Sequence, residues 1–291
     1  MDYFFISLSL GVSSAIFGAL TNVLAKKVVG FSSTRDYISI NFLLIFFLML
    51  PFAPLFFSVQ PTSLALGLIA VAACIDGLAN YLYFRAFEIT DAVTASSLLS
   101  VSPLFTLAFL PIFEPKNGSL NALTVLGVII ITVGIFILNR SNPDNHNHKL
   151  TEQNIWKLLL PLLSALLFGA NIYLVKHLFS QNFANPYSYY LLRALVISIL
   201  SFVLLKPAFK WVTLKNISLA AGRGVVVIGK WLLLLYALDI GNPPVVKAVS
   251  DISPLFVILI ALMSKQKITS TQWIGTIGII TGLVFITTKP G

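Results

Sequence analysis

Residues 86–105 read AFEITDAVTASSLLSVSPLF, and residues 237–256 read ALDIGNPPVVKAVSDISPLF. A shift of 151 positions lays one on the other without a gap, placing Ala86 on Ala237, Glu88 on Asp239, Ile89 on Ile240 and Ser102-Pro103-Leu104-Phe105 on Ser253-Pro254-Leu255-Phe256. The same shift carries Phe17-Gly18-Ala19 onto Phe168-Gly169-Ala170 and Gly127 onto Gly278. One four-residue match in an apolar chain means little, but several at a constant offset mean a duplication. The halves are residues 1–139 and 155–291, joined by a polar linker over 140–154. His146 and His148 lie in that linker and read as a solvated loop, not as a metal site.

Composition says what the halves face. Of 291 residues, 57 % are hydrophobic and 10 % charged, and the mean hydropathy is +0.93. Water-soluble domains carry roughly 25 % charged residues. Uncharged runs such as 3–25, 92–113, 117–139 and 268–288 meet the roughly 20 residues that a bilayer crossing needs. Charges and turn residues between the runs predict ten spans, near 4–24, 37–57, 64–84, 92–111, 120–138, 156–175, 188–205, 217–238, 243–264 and 271–287. The predicted fold is an all-α polytopic membrane protein. Each half holds five spans, an odd number, so the second half enters the membrane from the opposite side. Such inverted-topology repeats suit alternating access to a site between them.

Charge also orients the chain. Loops on one side, from Lys26 and Lys27 through to Lys265 and Lys267, hold twelve Lys and Arg, against Lys116, Lys176 and Lys289 on the other. The positive-inside rule then places both termini outside the cytoplasm. Orientation accounts for the net charge of +9 without a nucleic-acid partner. The single cysteine, Cys74, excludes an internal disulfide and reads as a packed small hydrophobe. Asp2 stands where a cleaved signal peptide would carry basic residues. The phosphate-cradling Gly-x-x-x-x-Gly-Lys-Ser/Thr motif is absent, so energy comes from a gradient or from the solute, and no cofactor is expected.

Charged residues inside spans are costly and face a cavity or a partner. Lys247 and Asp251, four apart on span nine, share a helix face and can pair. Arg223 and Lys230, seven apart on span eight, also share a face, but their like charge calls for an anion. Asp76 on span three is either a proton carrier, with Asp251 second, or the partner of a span-eight cation. Arg193 lies near the start of span seven, where it either snorkels to the interface or faces the interior. Four cations against two carboxylates favour an anionic or zwitterionic solute. Tyr83 and Trp231 offer aromatic contact, although aromatics also populate helix ends. Pro103 and Pro254, at equivalent points of spans four and nine, read as breaks bordering the transport path. Gly278-Ile-Ile-Thr-Gly282 has the spacing of closely packed helices, first within the monomer and second as a homodimer seam.

The order of these features resembles the drug/metabolite transporter superfamily, in its ten-span EamA-like branch, over nearly the whole chain. The resemblance rests on the Phe-Gly-Ala segments ending in Lys26 and Lys176, and on Arg193. It also rests on the segments 86–89 and 237–240, the two Ser-Pro-Leu-Phe segments, Glu114 and the glycine-bearing fifth helices. Two positions depart from the pattern: Arg35 is displaced from Phe42, the match of Arg193, and Lys265 stands opposite Glu114. The resemblance implies a secondary transporter in the bacterial inner membrane, with a small metabolite as partner. The expected solute carries a carboxylate, as amino acids and their derivatives do. A proton-coupled exporter of lipophilic cations is the alternative within transport, and a membrane enzyme the alternative outside it.

Overall fold

The computed structural model describes residues 3–29, 33–89, 92–113, 120–140, 155–208, 212–263 and 268–288. Residues 141–154 of the linker, with both histidines, lie outside the described residues, as do Glu114, Lys116, Lys265, Lys267 and Lys289. Among the described residues the chain is helical, with one isolated β-bridge between Val59 and Ala184. The first half contains α1 (Tyr3–Val29), α2 (Thr34–Met49), α3 (Ala53–Phe56), α4 (Ser63–Ile89), α5 (Ala92–Leu99), α6 (Ser102–Phe113) and α7 (Ala122–Arg140). The second contains α8 (Ile155–Ser180), α9 (Pro186–Leu205), α10 (Leu214–Ile240), α11 (Pro243–Ser250), α12 (Ser253–Met263) and α13 (Ser270–Thr288).

Eight stretches are long and apolar enough to cross a membrane, and two shorter apolar helices cover 97–113 and 122–138. The 27 residues of α4 extend about 40 Å at 1.5 Å per residue, against a hydrocarbon core of about 30 Å. Polar residues start several of these helices. Asn185 Oδ1 accepts from Ser188 N at 2.8 Å at the head of α9, and Thr213 Oγ1 from Asn216 N at 3.3 Å at the head of α10. Each satisfies an amide that the helix leaves unpaired. Leu55, Leu214 and Met263 are more than three-quarters exposed, whereas Asp76, Arg193 and Arg223 are at most 5 % exposed. This reverses the distribution of a water-soluble protein and fits an apolar solvent.

The duplication appears in the helix boundaries. The ends of α4 and α10, Ser63 with Leu214 and Ile89 with Ile240, keep the shift of 151, and so do those of α5 and α11. The packing exchanges in the same way: α1 lies on α10 as α8 lies on α4, and α2 on α10 as α9 on α4. Ser164 Oγ donates to Ala79 O at 2.8 Å across α8–α4, and Ser14 Oγ donates to Lys230 O, the counterpart of Ala79 O, at 2.9 Å across α1–α10. The two motifs that reveal the repeat touch each other across the halves. A Cβ on Gly169 would stand 2.9 Å from Phe105 Cβ and 3.2 Å from Ser102 O, and one on Gly18 would stand 3.0 Å from Ser253 Cβ.

The fifth helices, α7 and α13, meet through glycines. A Cβ on Gly134 would lie 2.8 Å from Gly275 O, and one on Gly275 would lie 2.8 Å from Gly134 O. Gly127 and Gly282 repeat this reciprocal contact at 2.8 and 2.7 Å. Gly282 of the Gly-Ile-Ile-Thr-Gly segment therefore packs in an intramolecular seam. Cys74 corrects another expectation: it is exposed on the outer face of α4 instead of packed. That position suits a small apolar group facing lipid.

Candidate solute-binding site

Helices α2, α4, α9 and α10 and the short α11 bring the intramembrane charges together. Asp76 pairs with Arg193, whose Nε donates to Asp76 Oδ2; both side chains are 2 % exposed. Asn80 Nδ2 donates to the same carboxylate oxygen at 3.0 Å. The guanidinium of Arg193 lies 4.6 Å from the Trp231 ring centroid, 5.0 Å from Tyr190 and 5.2 Å from Phe42. Planar and weakly hydrated, a guanidinium suits such an aromatic enclosure. Arg193 therefore faces the interior and does not snorkel, and the cation beside Asp76 comes from span seven, not from span eight.

Lys247 and Asp251 pair as their spacing predicts, with Nζ 2.9 and 2.7 Å from the two carboxylate oxygens. Asp251 closes α11, and α12 restarts at Ser253. The matching break between α5 and α6 falls at Ser100 and Val101. Spans four and nine, read from sequence near 92–111 and 243–264, are each made of two helices. Pro103 and Pro254 are the second residues of α6 and α12, where the missing amide hydrogen costs no helical bond. The chain breaks just before them.

The remaining two cations form no ion pair among the described residues. Arg223, 5 % exposed, donates through Nη1 to the Tyr37 hydroxyl and, at 3.3 Å, to Asn41 Oδ1. Its Nε has no acceptor among the described residues. Lys230 has neither hydrogen bond nor ion pair for its ammonium among them. Its Nζ stands 5.9 Å from the Trp231 ring centroid, and its Cε lies 3.6 Å from where a Gly18 Cβ would be. Asp251, Lys247 and Arg223 are its charged neighbours. Tyr83 packs on Phe84, Phe87 and Phe168, and Trp231 stacks on Tyr190. Both sit inside the bundle as one aromatic wall and not at helix ends. Among the described residues, no three His, Cys, Asp or Glu are grouped to hold a metal ion.

A sequence model of the EamA-like transporter family matches residues 5–140 and, a second time, residues 155–288. The chain belongs to that family. It is thus a member of the drug/metabolite transporter superfamily, a multi-pass integral membrane protein, and a transporter, not an enzyme. A solved structure described as "Crystal structure of protein" aligns over 97 % of this chain and 96 % of its own, with a TM-score of 0.75 at 14 % identity. At that identity the likeness speaks for the fold. Curated proteins give no match.

In this EamA-like transporter, besides the Arg193 partner of Asp76, neutral polar contacts were not foreseen from sequence. Tyr37 and Asn41 are four apart on α2 and joined by a 2.9 Å hydrogen bond. That spacing in an apolar helix is a signal of the same kind as Lys247 with Asp251. Asn171 on α8 lies beside Asp76 and Tyr189, and only its polarity within an apolar run marked it.

Proposed function

We propose that the protein is a secondary transporter moving small carboxylate-bearing metabolites by alternating access, with amino acids and their derivatives as the leading class. The observation that carries this reading is the imbalance among the charges inside the helical bundle. Asp76 and Asp251 are each paired with another cation, while Arg223 and Lys230 form no ion pair among the described residues. In a partly dry cavity an unpaired cation is costly, and an anionic group of the solute offsets that cost through charge-assisted hydrogen bonds. Lys230 and Arg223 meet the carboxylate, and Asp251 beside Lys247 meets the ammonium of a zwitterion. Arg193, Tyr83 and Trp231 form the wall.

The helix exchange across the shift of 151 supports ten spans in two inverted five-helix repeats, 1–139 and 155–291, around this site. The breaks before Pro103 and Pro254 are its moving parts. The location is the bacterial inner membrane, as the family resemblance implies, and the loop charges favour both termini outside the cytoplasm. Transport is proton-coupled. Of the two candidate carboxylates Asp251 is better placed than Asp76, because its side chain is 20 % exposed against 2 %. A screen of labelled carboxylates, amino acids and organic cations in proteoliposomes tests the reading. Carboxylate uptake is expected, and selective uptake of lipophilic cations would replace it with the exporter alternative.

A further inference from the structure

Between the start of α2 and the last turns of α4 lies a cleft of about 380 Å³, lined by Ser33, Thr34, Arg35, Tyr81, Arg85 and Glu88. Its two guanidinium groups are lightly held. Arg35 Nε is 4.0 Å from Asp36 Oδ1, and that carboxylate is already occupied: Oδ1 accepts from Ala208 N at 2.6 Å and Oδ2 from Ser33 Oγ at 3.0 Å. Arg85 meets Glu88 at 2.8 Å, but the side chains are 44 and 39 % exposed. An ion pair so exposed is weak and exchanges readily for another partner.

The cleft adjoins the central site. Thr34 precedes Tyr37 by one turn of α2, and Tyr81 precedes Phe84 by one turn of α4. The rings of Tyr37 and Phe84 lie 5.2 Å apart, and the Tyr37 hydroxyl accepts from Arg223. This layer separates the cleft from Lys230, two turns further along α10. In the second half, the segment that answers to 33–35 is held instead against the chain just before α4. Val59 bridges Ala184, Gln60 N donates to Phe183 O at 2.9 Å, and Asn185 Nδ2 donates to Phe56 O at 2.8 Å.

We propose that this cleft is a solute vestibule, a binding station outside the central site. There Arg35 and Arg85 take the carboxylate of the solute, and Glu88 takes the ammonium of an amino acid. This inference rests on the reading that the solute carries a carboxylate. The vestibule concentrates anions at the mouth and passes them inward to Arg223 when the Tyr37–Phe84 layer parts.

Thiol accessibility in lipid nanodiscs tests it, using Tyr81→Cys in a Cys74→Ser background, and Thr34→Cys from the facing helix should Tyr81→Cys not fold. Two thiosulfonate reagents are compared, one bearing a sulfonate and one a trimethylammonium, each rate divided by that reagent's rate with a free thiol. The expected result is a preference for the anionic reagent of about tenfold or more. The preference should be lost when Arg35→Gln and Arg85→Gln are added, and a mixture of the common L-amino acids should slow the reaction. An unreactive thiol, a preference for the cation, or an anionic preference that survives both arginine substitutions would overturn the vestibule. So would amino acids that cross proteoliposome membranes without protecting the cysteine. If none crosses, the amino-acid reading falls, while an arginine-dependent anionic preference still establishes an anion vestibule.

Discussion

Asp76 and Arg193 form an ion pair across α4 and α9, although their repeat-related positions hold Val227 and Phe42. The pattern is general in the polar cluster. Arg223, Lys230, Lys247 and Asp251 answer to Ala72, Ala79, Ser96 and Ser100. The boundaries of α4 and α10, and of α5 and α11, keep the shift of 151, whereas these charges lie on one member of each related pair.

Breaking the buried pair from one side should cost about 3–5 kcal/mol of stability, because an uncompensated charge is left behind. Arg193→Gln and Asp76→Asn are each expected to lower the thermal midpoint in detergent. The double variant should recover much of the loss. Single variants that melt like the parent would show that the pair contributes nothing.

Tyr37→Phe removes one of the two oxygens that accept from the buried Arg223 Nη1. The expected loss is about 1–3 kcal/mol, read as a lower melting temperature, with Asn41→Leu similar and the two effects non-additive. Additive losses would place the side chains in separate networks.

The glycine seam gives a graded test. Gly134→Ala and Gly275→Ala drive a methyl to 2.8 Å from a carbonyl oxygen on the facing helix, an overpacking worth about 1–3 kcal/mol. Gly278→Ala, with 3.4 Å to Gly134 Cα, should be tolerated. A reversed ranking in a thermal-shift series would contradict the α7–α13 packing.

Gly18 and Gly169 occupy equivalent positions with unequal surroundings. A methyl on Gly169 meets backbone, Thr106 N at 3.1 Å, whereas one on Gly18 meets only the side chains of Ser253 and Lys230. Gly169→Ala should therefore lower stability, and Gly18→Ala should leave stability near the parent while altering transport. Equal melting temperatures with equal transport would remove the distinction.

Much of this was legible in the sequence for physical reasons. Lipid demands long apolar runs, and short charged loops punctuate them, so an all-α membrane-spanning chain was legible. Lys247 with Asp251 was legible because helix periodicity alone brings them together. The partner of Asp76 was not, since Arg193 lies 117 residues away and only tertiary packing selects it over the cations of α10. The prolines marked the right places, but periodicity could not tell a kinked helix from one ending just before its proline. Neutral partners such as Tyr37 carry no charge to mark them in an apolar helix.

The central claim is that Lys230 and Arg223 hold the negative end of the solute. It is tested most directly by initial uptake rates in proteoliposomes, with labelled amino acids and organic cations given to the parent, Lys230→Gln and Arg223→Gln. Losing a hydrogen bond to a charged group costs roughly 1.5–3 kcal/mol. The account therefore predicts that the KM for the carboxylate solute rises about ten- to a hundredfold in each variant, with folding retained. Selective uptake of organic cations that neither substitution diminishes would contradict it.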